Sequence, residues 1–175
     1  MRLWVAVVIA LAVLFPAADG ESFISAKLGF SADFPSAPVV GEPQNSETDA
    51  SGKYISTSVM IQDAVPGTYT AMVTVETYSV AMKIDAQSTL AAMVKGFAAQ
   101  LDAKLTSNRS GKLEGKPARF FSYDTADHST AGSGMVVLVP SKKPRIYLVV
   151  DMHTPTAAPE QLAALEAFLK SFQFE

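Results

Sequence analysis

From Leu28 the chain alternates apolar and small or polar residues, with Leu28, Phe30, Ala32 and Phe34 on one side and Gly29, Ser31 and Asp33 on the other. Period two predicts a strand with one buried face, Phe30 and Phe34 inward and Asp33 outward. Pro35 ends it, since proline has no N–H for a ladder, and Pro38 and Pro43 keep the next residues extended. Residues 41 to 53, GEPQNSETDASGK, are polar and rich in turn formers, and predict a surface loop. Tyr54 to Gln62 and Tyr69 to Thr77 alternate again around the turn sequence DAVPG, which predicts an antiparallel hairpin.

The period then changes. Leu90, Met93, Val94, Phe97, Leu101 and Leu105 recur at three and four, as one face of a helix requires, with Asp85 or Ser88 placed to cap its start. Gly96 inside it costs about 1 kcal/mol against alanine. Three further strands follow at Ala118 to Asp124, Met135 to Val139 and Arg145 to His153, separated by the loop TADHSTAGSG and the tight turn PSKKP. Neighbouring strands with short connections predict a meander. A second amphipathic helix opens between Thr156 and Pro159 and carries Leu162, Leu165, Phe168, Leu169 and Phe172. Strand, hairpin, helix, meander and helix in that order predict an α+β domain, a mostly antiparallel sheet flanked by helices.

The first twenty residues stand apart from this pattern. Arg2 precedes a thirteen-residue apolar run, Leu3 to Phe15, followed by Pro16 and the small, polar Ala17-Ala18-Asp19-Gly20. That order is the signature of a secretory signal peptide, too short for a span of about 20 apolar residues. The expectation is residues 1–20 as signal peptide, residues 21–175 as one domain, and a periplasmic or secreted protein with no stable membrane insertion after cleavage. An uncleaved anchor is the alternative.

Composition narrows the chemistry. The chain has 14 basic and 17 acidic side chains for a net charge of −3, and removal of Arg2 and Asp19 leaves that balance unchanged. Such a balance offers no footprint for nucleic acid or an anionic membrane. The absence of cysteine removes thiol catalysis, disulfides and cysteine-held metals. Ser133 in AGSGM lacks the G-x-S-x-G spacing of a nucleophile elbow. GKLEGKP, Gly111 to Pro117, has the wrong spacing for a phosphate loop and reads as a turn between strands. Asn108-Arg109-Ser110 matches a glycosylation sequon.

A strand closing in FP-x-x-P near the mature start, a body of hairpin, helix and meander, and a terminal helix ending FLKSFQF resemble exported bacterial members of the PsbP-like superfamily. That group includes the extrinsic PsbP subunit of photosystem II and the Ran-binding Mog proteins. The resemblance implies an α/β/α sandwich around an antiparallel sheet and an accessory or binding role. It implies no catalytic residues to carry over, and neither the photosystem nor Ran transfers as a partner.

Two candidate sites remain. If the meander alternates direction, Asp124, Asp127, His128, Asp151 and His153 gather at one sheet edge, and imidazoles with carboxylates suit zinc or manganese. The second is the loop from Val39 to Lys53, with Glu42, Gln44, Asn45, Glu47 and Asp49 as contact residues on a mobile binding element. Tyr54, Tyr69, Tyr123 and Tyr147 read as core or cross-strand aromatics before they read as a ligand patch, and Lys142 and Lys143 read as solvated turn residues. The expected function is a non-catalytic, exported accessory or binding domain without cofactor that contacts a protein or envelope component. A small metal-assisted hydrolase at the Asp/His edge is the alternative.

Overall fold

A computed structural model of the chain describes residues 20–46, 55–63, 68–79, 81 and 84–175. The signal-peptide expectation, residues 64–67 of the turn expected at DAVPG, and Glu47, Asp49 and Tyr54 lie outside the described residues. The strands are β1 (Glu21–Ser25), β2 (Phe30–Phe34), β3 (Pro38–Val40), β4 (Gln44–Asn45), β5 (Ser56–Asp63), β6 (Tyr69–Tyr78), β7 (Ala103–Leu113), β8 (Lys116–Thr125), β9 (Ala131–Val139), β10 (Arg145–His153) and β11 (Gln173–Phe174); the helices are α1 (Ala86–Gln100) and α2 (Pro159–Ser171).

Among the described residues the large sheet has eight strands in the order β3-β5-β6-β10-β9-β8-β7, with β4 also on β5. All of its pairings are antiparallel, so the hairpin β5-β6 forms as the alternation predicts and the meander β8-β9-β10 as the short connections predict. Successive side chains point to opposite faces. Met135, Val137, Tyr147 and Val149 therefore enter one core with Leu165, Phe168 and Phe172, whereas Val136, Leu138, Ile146 and Val150 enter another with Leu90, Val94 and Phe97. Helix α1 covers the second face. Helix α2 and a small sheet, β1-β2-β11, cover the first.

Phe30 and Phe34 are fully buried in the first core and Asp33 is exposed, as the alternation requires. Phe30 stacks on Phe172 and Phe34 packs on Phe168, with centroids 5.4 and 4.9 Å apart, so the first strand and the last helix share one aromatic cluster. Asp85 caps α1, accepting the Ser88 N–H at 2.9 Å.

The structure differs from the sequence reading in five places. Leu101 and Leu105 do not continue α1: Leu101 is its C-cap, Asp102 turns the chain at φ 49°, and β7 begins at Ala103. Both leucines still pack on the α1 side of the sheet, so helical spacing across this point conceals a change of element. Strand β7 itself escapes period-two detection because it is an edge strand, with Thr106 to Ser110 exposed throughout. Glu21 to Ser25 forms β1 against β2. Part of the segment expected as free loop is sheet, since Pro38–Val40 and Gln44–Asn45 both pair with β5. The helix ends at Ser171, and Gln173–Phe174 turns back to pair with β2.

Candidate functional site

Asp124 pairs with Ala131, which pairs on its other side with His153, so the three residues make one row across β8, β9 and β10. One strand stands between Asp124 and His153, a separation of about 10 Å between main chains. Asp124 takes a hydrogen bond with His128 Nδ1 within its own loop, where His128 is held at φ 54° and points largely into solvent. Asp127 Oδ1 accepts from Thr125 Oγ1 at 2.8 Å, from the Ser129 N–H at 3.0 Å and from Ser129 Oγ at 2.7 Å. These donors, the Ser129 N–H foremost, hold its carboxyl well below the usual range.

Asp151 is of a different kind. It is buried, and burial raises its pKa to about 6 against the opposing effects of the Ser133 N–H and the His153 ring. Its Oδ1 accepts the Ser133 N–H at 2.9 Å, and its carbonyl accepts the Tyr123 hydroxyl at 2.8 Å. Among the described residues, no three His, Asp or Glu side chains are placed to hold one metal ion. The edge brings Asp124 and His128 together and spends Asp127 and Asp151 on their own loops and ladders.

Of the expected loop residues, Glu42, Gln44 and Asn45 are exposed. Gln44 and Asn45 are tied to β5 opposite Ser58 and Thr57, and Asn45 Oδ1 accepts the Thr57 hydroxyl at 2.9 Å. Tyr123 and Tyr147 are buried on opposite faces, which places them in the cores and not on a ligand patch.

A third feature comes from residues far apart in sequence. The turn between β7 and β8, the turn between β9 and β10, the Leu28-Gly29 bend and β11 surround a half-open cleft of about 390 Å³, lined by Lys116, Lys143, Arg145, Tyr147, Phe174 and Glu175 among others. Arg145 Nη1 and the Tyr147 hydroxyl both donate to the Leu28 carbonyl, at 3.2 and 2.7 Å. Lys116 Nζ lies 4.0 Å from the centre of the Phe174 ring and 3.6 Å from Glu114 Oε2. The lysines and the arginine are visible in the sequence as KP and KKPR, but no spacing there brings Gly29 or Phe174 beside them.

No protein-family model and no curated protein sequence matches the chain. Its structure is similar to that of cyanobacterial PsbP, CyanoP, from Synechocystis sp. PCC 6803, with a TM-score of 0.55 at 11% identity over 95% of this chain and 98% of that one. It is also similar to LpqN of Mycobacterium tuberculosis, a protein involved in cell envelope biogenesis, with a TM-score of 0.52 at 11% identity over 89% of this chain and 90% of that one. Both likenesses extend over nearly the whole length of each chain, and the chain therefore has a PsbP-like fold.

Proposed function

We propose that the protein is an exported accessory domain that works by contact with a protein or an envelope component, without catalysis. The observation that carries this reading is the use made of the polar side chains at the sheet edge. Asp127 and Asp151 are engaged by main-chain N–H groups of their own neighbourhood, which is how loops and ladders are held, and Asp124 engages an exposed histidine. A catalytic constellation instead aims such groups at a shared point in a cleft.

The fold adds support of a general kind. LpqN, of similar structure, is described as involved in cell envelope biogenesis, and the amino-terminal signal pattern would carry this chain across a membrane. No helix among the described residues is long and apolar enough to span a bilayer. Glu42, Gln44 and Asn45, exposed on an arm braced against β5, are proposed as part of the contact surface, together with Glu47 and Asp49, which follow them in sequence.

The test is capture from envelope extract with tagged protein after chemical cross-linking, against a tagged control of unrelated fold. Enrichment of a defined envelope protein, reduced when Gln44 and Asn45 are both changed to lysine, is the expected result. Failure to enrich any component over the control overturns the reading.

A further inference from the structure

The cleft at the β7-β8 and β9-β10 turns has a chemistry of its own. In a chain of net charge −3, three cations line it: Lys116, Lys143 and Arg145. Among the described residues, neither Lys143 nor Arg145 has a carboxylate within 4 Å; the ion pairs are Lys116–Glu114, His128–Asp124 and Lys170–Glu166. Arg145 uses Nη1 on the Leu28 carbonyl, which fixes the guanidinium plane and leaves its other donors for a second acceptor. Lys143 is exposed on a turn whose shape is held by Ser141 Oγ donating to the Lys143 carbonyl.

We propose that this cleft is a docking point for a carboxylate side chain presented by an acidic peptide segment. The proposal rests on the contact reading only in that the segment belongs to a partner. A planar carboxylate matches the arginine fork, with Lys143 adding a point charge beside it. Glu114 already offsets Lys116, which leaves Lys143 and Arg145 beside Glu175 in the same cleft, and that balance suits a singly charged group better than a dianionic phosphate. The cleft is open on one side and walled by the Phe174 ring, which fits a side chain reaching in from an extended segment.

Fluorescence polarisation with labelled hexaglutamate, and with labelled hexaglutamine as its uncharged counterpart, tests this on the purified protein at low salt. Saturable binding of hexaglutamate and none of hexaglutamine is expected. Arg145→Gln and Lys143→Gln each weaken binding by about fivefold or more, and Glu175→Gln strengthens it about twofold. Lys104→Gln, on exposed β7 away from the cleft, leaves it unchanged. Arg145 also braces Leu28, so Lys143→Gln in the exposed turn decides the matter if the arginine variant fails to fold. The proposal is overturned by the absence of saturable hexaglutamate binding, by equal weakening in Lys104→Gln, or by inorganic phosphate displacing the peptide at lower concentration than acetate. None of these results depends on which partner, if any, is captured from the envelope.

Discussion

The Tyr147 hydroxyl donates to the Leu28 carbonyl at 2.7 Å, which ties the central strand of the large sheet to the bend that leads into β2. The bend depends on Gly29, which adopts φ +74° and would place a Cβ 2.8 Å from Arg145 Nη1 and 3.2 Å from the tyrosine oxygen. Gly29→Ala therefore meets both a left-handed backbone and a crowded site, and an expected loss of about 1–3 kcal/mol follows. Tyr147→Phe removes one hydrogen bond but leaves Arg145 on the same carbonyl, so about 1 kcal/mol is expected. Urea denaturation of the two variants checks the order, the glycine substitution having the lower midpoint.

Glycine has a second role around Ser133. A Cβ on Gly132 would run into the Asp151 carbonyl and come within 2.8 Å of the Tyr123 hydroxyl. One on Gly134 would lie 2.6 Å from Val150 Cγ1 and 2.7 Å from the Val149 carbonyl. Backbone atoms cannot step aside as a side-chain end can, so Gly132→Ala and Gly134→Ala are each expected to cost about 2 kcal/mol or more. Ser133→Ala loses only a hydroxyl contact to Ser122 and stays within about 1 kcal/mol of the parent. Thermal unfolding of the three variants separates the two outcomes. A serine variant as unstable as the glycine variants would contradict this account of AGSGM.

What the sequence made legible follows from where burial leaves a period. Strands β5, β6, β8, β9 and β10, and both helices, bury at least one face, and alternation, an unbroken apolar run or helical spacing marks them. Strand β7 lies at an edge, exposes five residues in succession, and leaves no period to read. Two-residue pairings such as β4 and β11 are shorter than any pattern. The Asp/His edge was legible as a position, because strand direction places strand ends. Its chemistry was not, because the partner of each carboxylate is set by loop geometry: an Asp127 turned onto Ser129, an Asp151 turned onto Ser133. The cationic cleft joins Gly29, Lys116, Arg145 and Phe174 across the whole length of the chain, a proximity that only the fold creates.

The same geometry sets an expectation for zinc. The edge offers Asp124 and His128 as a pair, while Asp151 Oδ1 is occupied by the Ser133 N–H and His153 stands a strand away. Two ligands fall short of the three or four protein groups that zinc sites employ. Isothermal titration with zinc at neutral pH is therefore expected to give no saturable heat in the micromolar range. His128→Ala, which removes an exposed pair, is expected to shift stability by less than about 0.5 kcal/mol. Tight zinc binding lost in a His128→Ala, His153→Ala double variant would restore the metal-assisted reading.

Stability should fall as pH rises from about 4 to about 7, and Asp63 is the principal reason. The residue is buried at the end of β5; its Oδ1 accepts the Ala71 N–H at 2.9 Å, and its Oδ2 is buried with no hydrogen-bond partner among the described residues. Burial raises its pKa from 3.8 to about 7, with the Ala71 N–H acting in the opposite sense. A carboxyl whose pKa is higher folded than unfolded binds its proton more tightly in the native state. Its contribution is thus fully present below about pH 4 and is lost as pH rises to about 7. Asp151, raised to about 6, works in the same direction over a narrower window. Asp63→Asn keeps an acceptor for Ala71 and cannot ionise, so at pH 8 it is expected to be more stable than the parent by about 2–4 kcal/mol, with little difference near pH 4. Denaturation midpoints for both proteins between pH 4 and pH 8 decide it, since parallel curves would mean that Asp63 does not titrate in this window.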